Sequence, residues 1–225
     1  MAARKNTTPE VEVSDYLKVQ TGIVHCFVVG TSPIILNRMS EKAKHQLLHP
    51  SPKKNATEKL TTLKHDPIAE YQASAYRLKD PKAPTLLAVL STAFKGSLRT
   101  AALDMPGAKK SQIGRLTYIA GEHVSIYGVP RLFMSVTRSA DMNRTPDIRT
   151  RAIIPEWAAK VSVTYVMPLI KQQAVVNLLV AAGITVGVGD WRPEKGAGSY
   201  GQFEVRSPDD PDYQRIVKAA GIVPT

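Results

Sequence analysis

The segment GVGDWRPEKGAGSYGQFEV, residues 187–205, combines residue types that suit a phosphate-containing polymer. Its five glycines allow backbone amides to approach phosphates closely, and Arg192 and Lys195 add positive charge. Trp191 and Tyr200 offer aromatic faces on which bases can stack. We therefore predict a single-stranded nucleic-acid-binding surface that includes the backbone at Gly196. A glycine-rich hairpin whose Trp191 only covers the edge of the core would explain the same residues.

Three further groups of cations extend this predicted surface. Lys95 and Arg99 are four residues apart in STAFKGSLRTAALD, so a helix would place them on one face. Gly96 within that helix is unfavourable, which indicates that a ligand or another strand approaches the backbone there. The other predicted contacts are Arg38, Lys42 and Lys44 in an early basic helix, and Arg144, Arg149 and Arg151 in RSADMNRTPDIRTR. A solvated basic surface is the alternative for both groups.

The charge of the whole chain agrees with a polyanionic partner. Thirty Lys and Arg against nineteen Asp and Glu give a formal charge of +11 and a pI of about 9.8 over 225 residues. Cys26 is the single cysteine, which excludes a disulfide framework. No apolar run is long enough to cross a bilayer and the N-terminus lacks a signal-peptide core, so we predict a cytoplasmic protein with no membrane partner.

Catalytic motifs are not apparent in the sequence. The glycine loop lacks the Lys-Ser/Thr pair of a P-loop, and no helix pattern opens within it. His45 and His49 are four residues apart but have no third metal ligand nearby, and His25 and Cys26 are strand neighbours that point to opposite faces. We expect His25 to be a satisfied core histidine. The prediction is a binding protein without cofactor or metal, rather than an enzyme.

The pattern of apolar residues predicts an α+β fold. We expect a buried strand at 18–29, a helix in MSEKAKHQLL capped by Ser40, and a helix from STAFKGSLRTAALD capped by Ser91. A hairpin is predicted at 123–137, and a strand in VSVTYVM with Val161, Val163, Tyr165 and Met167 on one face. A helix ending at Gly183 and a strand in ITVGVG complete the prediction.

The domain organisation follows from composition. Residues 1–15 are polar and predicted to be flexible, and residues 16–225 are predicted to form a single α+β domain. Residues 50–67 are polar and bracketed by prolines, which is typical of a mobile insertion. Seven Lys or Arg against two Glu between Arg38 and Lys64 make this part of the chain basic.

STAFKGSLRTAA and GVGDWRPEKGAGSYGQFEV together resemble segments of RAMP proteins, the repeat-associated mysterious proteins of CRISPR effectors. SPIILNRMSEKAK and GVGDWRPEK also resemble segments of a group of small phage and prophage proteins. The RAMP resemblance implies a ferredoxin-like, RRM-like βαββαβ core. It also implies a subunit that assembles side by side along single-stranded RNA, with Lys95, Arg99, Arg192, Lys195 and Gly196 against the phosphates.

We therefore predict a phage-encoded protein that binds single-stranded RNA or DNA without sequence specificity and forms a homo-oligomer or filament along the strand. Replication, recombination and strand protection are the roles that such a coat would serve. Two alternatives remain open. One is a metal-independent endoribonuclease that uses His25 or His45 as general acid or base. The other is a counter-defence protein that imitates a CRISPR effector subunit and binds a host defence protein.

Overall fold

The computed structural model describes residues 18–39, 41–49, 65–77, 86–138, 146–196 and 198–220. Two antiparallel sheets account for all of its strands, so the predicted α+β class is confirmed. The predicted flexible N-terminus, residues 50–64 of the predicted insertion, Ser40 and Arg144 lie outside the described residues.

The larger sheet has seven strands in the order β10-β1-β9-β6-β4-β3, with β5 paired to β9 beside β6. Its strands are β1 (Gln20–Gly30), β3 (Tyr76–Arg77), β4 (Leu87–Leu90), β5 (Thr117–Ile119), β6 (His123–Gly128), β9 (Trp157–Met167) and β10 (Phe203–Arg206). β1 and β9 form the centre and pair antiparallel along almost their full length. This confirms the strand predicted from residues 18–29.

Alternation along the central strands buries one face of this sheet more extensively than the other. Val161, Val163 and Tyr165 of β9 are buried and Met167 is half-buried at the strand end, as predicted. His25 and Cys26 do point to opposite faces, but it is Cys26 that is buried. The expectation of a core histidine was wrong, because His25 lies on the exposed face and hydrogen-bonds Ser162 Oγ at 2.8 Å.

Six α-helices lie in the described part of the chain, and three of them cover the two faces of the larger sheet. They are α1 (Glu41–Leu48), α2 (Pro67–Ala73), α3 (Ser91–Ala101), α4 (Lys110–Leu116), α5 (Gln172–Thr185) and α6 (Pro211–Ala220). Helices α3 and α5 pack on the buried face, where Phe94 and Leu98 have no exposed surface. Helix α6 packs on the opposite face through Tyr213 and Ile216. None of the helices in the described part of the chain is long and apolar enough to span a membrane.

The smaller sheet has the order β2-β8-β7, with β2 (Ile34–Leu36), β7 (Arg131–Arg138) and β8 (Pro146–Ile154). The hairpin predicted at 123–137 was wrong, because β6 and β7 belong to different sheets. β6 pairs with β4 and β9, whereas β7 pairs with β8. Between them Val129 and Pro130 carry the chain from one sheet to the other, and a proline cannot donate to a ladder.

Two predicted boundaries after β9 were also wrong. Helix α5 continues past Gly183 to Thr185. Gly183 lies inside the helix, and a glycine is needed there because a Cβ would collide with the carbonyl oxygen of Phe203. ITVGVG is not a strand. Its first residues finish the helix, and Gly187 and Gly189 then take φ of 71° and 87°, which is incompatible with extended backbone.

Candidate nucleic-acid interface

An open cavity of about 460 Å³ lies between helix α3 and the glycine loop, residues 187–201. We call this cavity the cleft. Thr92, Ala93, Gly96 and Thr100 line it from α3, and Gly189, Asp190, Arg192, Glu194 and Lys195 line it from the loop. Its other wall comes from the end of β2 and from β3 and β4, where Asn37, Ser74, Tyr76 and Leu90 contribute. The predicted loop and the predicted helix therefore do meet at one site.

The helix presents an open backbone to the cleft at Gly96. Apart from the neighbouring residues of its own helix, no described atom lies within 4 Å of the position that a Cβ would occupy there. The alternative that another strand packs against Gly96 is therefore wrong for the described part of the chain. Thr92 and Thr100 are four residues to either side, so the three residues share one face of the helix.

Lys95 and Arg99 lie on a different face of α3 and do not line the cleft. Lys95 Nζ is 4.7 Å from the centre of the Tyr118 ring on β5. The Arg99 side chain lies against Gly114 of α4, where an added Cβ would be 2.7 Å from Arg99 Nε. The structure thus separates these two cations from the loop with which the sequence grouped them.

The N-terminus of α3 opens into the cleft without a side-chain cap. Leu90 occupies the N-cap position with φ of −62° and ψ of 138° and makes no side-chain cap hydrogen bond. The prediction that Ser91 caps the helix was wrong, because Ser91 is already the first helical residue and its amide donates to the carbonyl of Glu122 at 2.8 Å. An uncapped helix start carries partial positive charge and suits an anion.

The glycine loop is fixed by backbone hydrogen bonds to the segment before β2 and to β2 itself. Asp190 N donates to Ile35 O at 2.9 Å, and Gly201 N donates to Pro33 O at 2.8 Å. Gly189 lies so close to β2 that an added Cβ would be 2.6 Å from the same Ile35 oxygen. Trp191 takes φ of 51°, a left-handed conformation that is unfavourable for a tryptophan.

Charges in the cleft are partly paired. Arg192 Nη2 lies 2.6 Å from Glu194 Oε2, and Thr100 Oγ1 donates to Glu194 Oε1 at 3.1 Å. Burial raises the pKa of Glu194, but the hydrogen bonds from Arg192 and Thr100 and the charge of Lys195 bring that pKa below its ordinary value. Lys195 is exposed and forms no ion pair within 4 Å among the described residues. It is therefore the loop cation best placed to meet an anion.

The opposite side of the loop meets the smaller sheet through aromatic side chains. The Trp191 and Phe133 rings meet edge to face with centres 6.0 Å apart, and the Tyr200 ring is 6.1 Å from Trp191. Arg151 Nε lies 3.7 Å from Asp190 Oδ2, and Arg149 is exposed beside it. Phe133, Ser135, Thr137, Arg149, Arg151, Trp191 and Tyr200 share this side, and we call them the aromatic side of the loop.

The remaining predicted contacts are more distant from the loop or incompletely described. The Arg38 guanidinium lies 5.4 Å from the centre of the Tyr76 ring, which forms part of the cleft wall. Lys42 and Lys44 lie in α1, and the Lys44 side chain is exposed. Gly196 lies at the exposed end of the loop with φ of 86° and nothing within 4 Å of an added Cβ.

Two solved structures are similar to this chain at the level of overall shape. One is described as the crystal structure of Cmr6 from Pyrococcus furiosus, with 9% identity, a TM-score of 0.40, and coverage of 83% of this chain and 98% of that chain. The other is a cryo-EM structure of the Type III-B Cmr-beta bound to cognate target RNA, with 12% identity, a TM-score of 0.36, and coverage of 81% and 59%. No family model and no curated protein matches the sequence. At these TM-scores the likeness does not assign the chain to a family.

Sequence reasoning missed several residues of the cleft. Thr92 and Thr100 were detectable, because each lies four residues from Gly96 and a helical projection places them beside it. Asn37 and Tyr76 were not detectable, since they come from separate segments that only the sheets bring together. The structure places no group of three or more His, Cys, Asp or Glu residues within reach of a shared metal ion anywhere in its described ranges.

Proposed function

We propose that this protein binds single-stranded nucleic acid without sequence specificity and holds the sugar-phosphate backbone in the cleft. One observation carries the proposal. The uncapped start of helix α3, the bare backbone at Gly96 and the exposed Lys195 all face the same open cavity. The helix start and the Lys195 ammonium favour an anion, and Gly96 leaves the space in which a phosphate can approach the helix closely.

The chemistry of the cleft suits contacts with the backbone of the strand rather than with its bases. Amides at the helix start, the Thr92 hydroxyl and an ammonium group bind phosphate oxygens, which are the same in every nucleotide. The pairing of Arg192 with Glu194 leaves few unpaired charges, so each bound phosphate is held by a small number of contacts. This combination favours binding that tolerates any sequence.

The bases would lie on the aromatic side of the loop. Trp191 and Tyr200 are half-buried there and keep part of their rings accessible, and Arg149 supplies an exposed cation at the same surface. Stacking on aromatic rings is tolerant of sequence because every base has a flat face. A strand that crosses the loop would place phosphates in the cleft and bases against Trp191.

The proposal also covers the fold type, the cellular role and the assembly of the protein. The path β1, α3, β6, β9, α5, β10, with the order β10-β1-β9-β6, suits a ferredoxin-like βαββαβ unit of the RAMP type. The protein would act in the cytoplasm of a bacterial host during phage replication, recombination or strand protection, as a multimer or filament on the strand. We also propose that it binds without cleaving.

Binding is tested by fluorescence anisotropy with labelled single-stranded RNA, single-stranded DNA and duplex, at low and physiological salt. We expect both single strands to bind more tightly than duplex, with affinity that falls steeply as salt rises. Absence of binding to every probe at low salt overturns the proposal.

Cleavage is tested separately by incubating labelled RNA with the protein in the absence of divalent metal. We expect intact RNA. Discrete products that disappear in His25→Ala or His45→Ala would identify a ribonuclease and overturn the proposal of binding alone. Inspection of the same mixtures by electron microscopy shows whether filaments form.

A further inference from the structure

Strand β7 is the free edge of the smaller sheet. It pairs with β8 along its whole length, from Arg131 to Arg138, and no other described strand pairs with its outer edge. Every second residue of this eight-residue strand therefore points its backbone N–H and C=O outward, away from β8. An edge of this length is a ready template for a strand from another chain.

The side chains on one face of β7 are apolar and exposed. Leu132, Met134 and Val136 alternate along the strand and expose 46%, 49% and 72% of their surface. Lysine or proline commonly protects such an edge from association, but neither occurs between positions 131 and 138. These three side chains are therefore available to a partner strand that carries matching apolar side chains on the same face.

We propose that the partner is β7 of a second copy, paired antiparallel about a two-fold axis at Met134. Leu132 of each copy would then lie opposite Val136 of the other, and the two Met134 side chains would face each other. All three exposed apolar side chains of both copies would gain apolar neighbours. The interface is isologous, so it closes as a dimer.

The pleat restricts the register of such a pair. Residues that lie opposite each other must point to the same face of the sheet. The two-fold axis must therefore place one residue opposite its own copy, rather than opposite a sequence neighbour of that copy. An axis at Ser135 would place Leu132 opposite Arg138, and an axis at Phe133 would leave Val136 opposite Pro130. Met134 is the centre that matches all three apolar positions of β7 with one another.

Charge also favours this arrangement. With the axis at Met134, Arg131 lies opposite Thr137 of the second copy. An in-register parallel pair would instead place Arg131 beside Arg131, which like-charge repulsion disfavours. Because the axis is perpendicular to the sheet, the aromatic sides of both loops would lie on the same face of a continuous six-stranded sheet.

Disulfide trapping tests the register in the full-length protein. In the dimer, the two residues at 134 would have Cα atoms about 4.5–5.5 Å apart, within the range of a disulfide. Met134→Cys should therefore cross-link on mild oxidation. Val136→Cys is the matched control, because its two copies would be about 13 Å apart along the strands. Cys26 is buried and does not compete.

Two more variants complete the test. The double variant Leu132→Cys/Val136→Cys should cross-link, since those positions face each other, whereas neither single variant should. Met134→Lys should shift the protein from dimer to monomer in sedimentation equilibrium while its circular dichroism stays unchanged, because position 134 is exposed. A wild-type monomer at every protein concentration overturns the proposal, as does equal cross-linking of Met134→Cys and Val136→Cys.

Discussion

Thr100 of helix α3 and Glu194 of the glycine loop join the two walls of the cleft through a hydrogen bond of 3.1 Å. The same carboxylate accepts a hydrogen bond of 2.8 Å from Arg192 Nε. Glu194 therefore restrains the loop against the helix and also neutralises a cation within the proposed phosphate site. These two effects oppose each other in ligand binding.

Glu194→Gln should raise the affinity for single strands. The glutamine amide keeps an oxygen that can accept a hydrogen bond from Thr100. The substitution removes a negative charge that repels phosphate, and it frees Arg192 from its ion pair. We expect the slope of log K against log salt to steepen by about 0.7, the value for one additional neutralised phosphate. Anisotropy titrations over a range of salt measure this slope.

Glu204→Gln is the control for that variant. Glu204 is exposed on β10 and pairs with Arg206, outside the cleft, and the substitution changes the net charge equally. A similar increase in both variants would show that only the net charge matters.

Lys195→Ala should weaken single-strand binding and flatten the salt slope by about 0.7. Lys195 supplies an exposed charge in the cleft, and its removal leaves no unpaired loop cation there among the described residues. Lys218→Ala provides the matched comparison, because Lys218 is exposed on α6, which packs on the other face of the larger sheet. Equal slopes for the two variants would contradict the proposed site.

Gly96 allows the cleft to be filled without disturbing the fold. Gly96→Ala should raise the free energy of unfolding by roughly 0.5–1 kcal/mol, because alanine is the better helix former and its Cβ meets nothing. Gly96→Leu should remain folded yet bind single strands several-fold more weakly, since its side chain projects into the cleft. Chemical denaturation and anisotropy measure the two effects. Unchanged binding by Gly96→Leu would exclude the cleft as the strand path.

Intrinsic fluorescence should report contact with Trp191. The chain has two tryptophans, and Trp157 has no exposed surface and donates its Nε1 hydrogen to Ser32 O at 2.8 Å. Stacking of a base on Trp191 should therefore quench only part of the emission. Trp191→Phe should abolish the quenching while the residual Trp157 signal stays constant. Quenching that persists in Trp191→Phe would show that the strand does not contact the aromatic side of the loop.

Cys26 should make the fold less stable at alkaline pH. Burial raises the pKa of its thiol from 9.0 to about 11. The thiol ionises more readily in the unfolded chain, so the unfolding free energy should fall as pH rises from 9 towards 11, and be unaffected by this group below pH 9. Cys26→Ala should remove that part of the decline. A thiol reagent should label Cys26 only after a denaturant is added.

The sequence predicted the parts of the fold that depend on local pattern. The alternation of β1 and β9 and the apolar stripe of α3 are properties of adjacent residues, and the structure contains all three elements. The hairpin at 123–137 failed because strand pairing is decided by distant partners. The role of Gly183 likewise depends on Phe203, twenty residues further along the chain.

The candidate site shows the same division. The glycine loop could be identified from its composition and its cations from their charge. Which of the predicted cations share one site could not be identified. Lys95 and Gly96 are neighbours in sequence, yet one faces Tyr118 and the other faces the cleft, because each residue of a helix turns by about 100°. Pairing of Arg192 with Glu194 could not be foreseen from the sequence, since it depends on the turn formed by Pro193–Lys195.

The backbone hydrogen bonds from Asp190 to Ile35 and from Gly201 to Pro33 bear on the entropy of binding. Glycine usually gives a segment conformational freedom, which a ligand must remove when it binds. Here that freedom is already lost when the chain folds, because the loop is fastened at both ends to residues next to and within β2. A ligand would meet a site of fixed shape and would lose mainly its own flexibility.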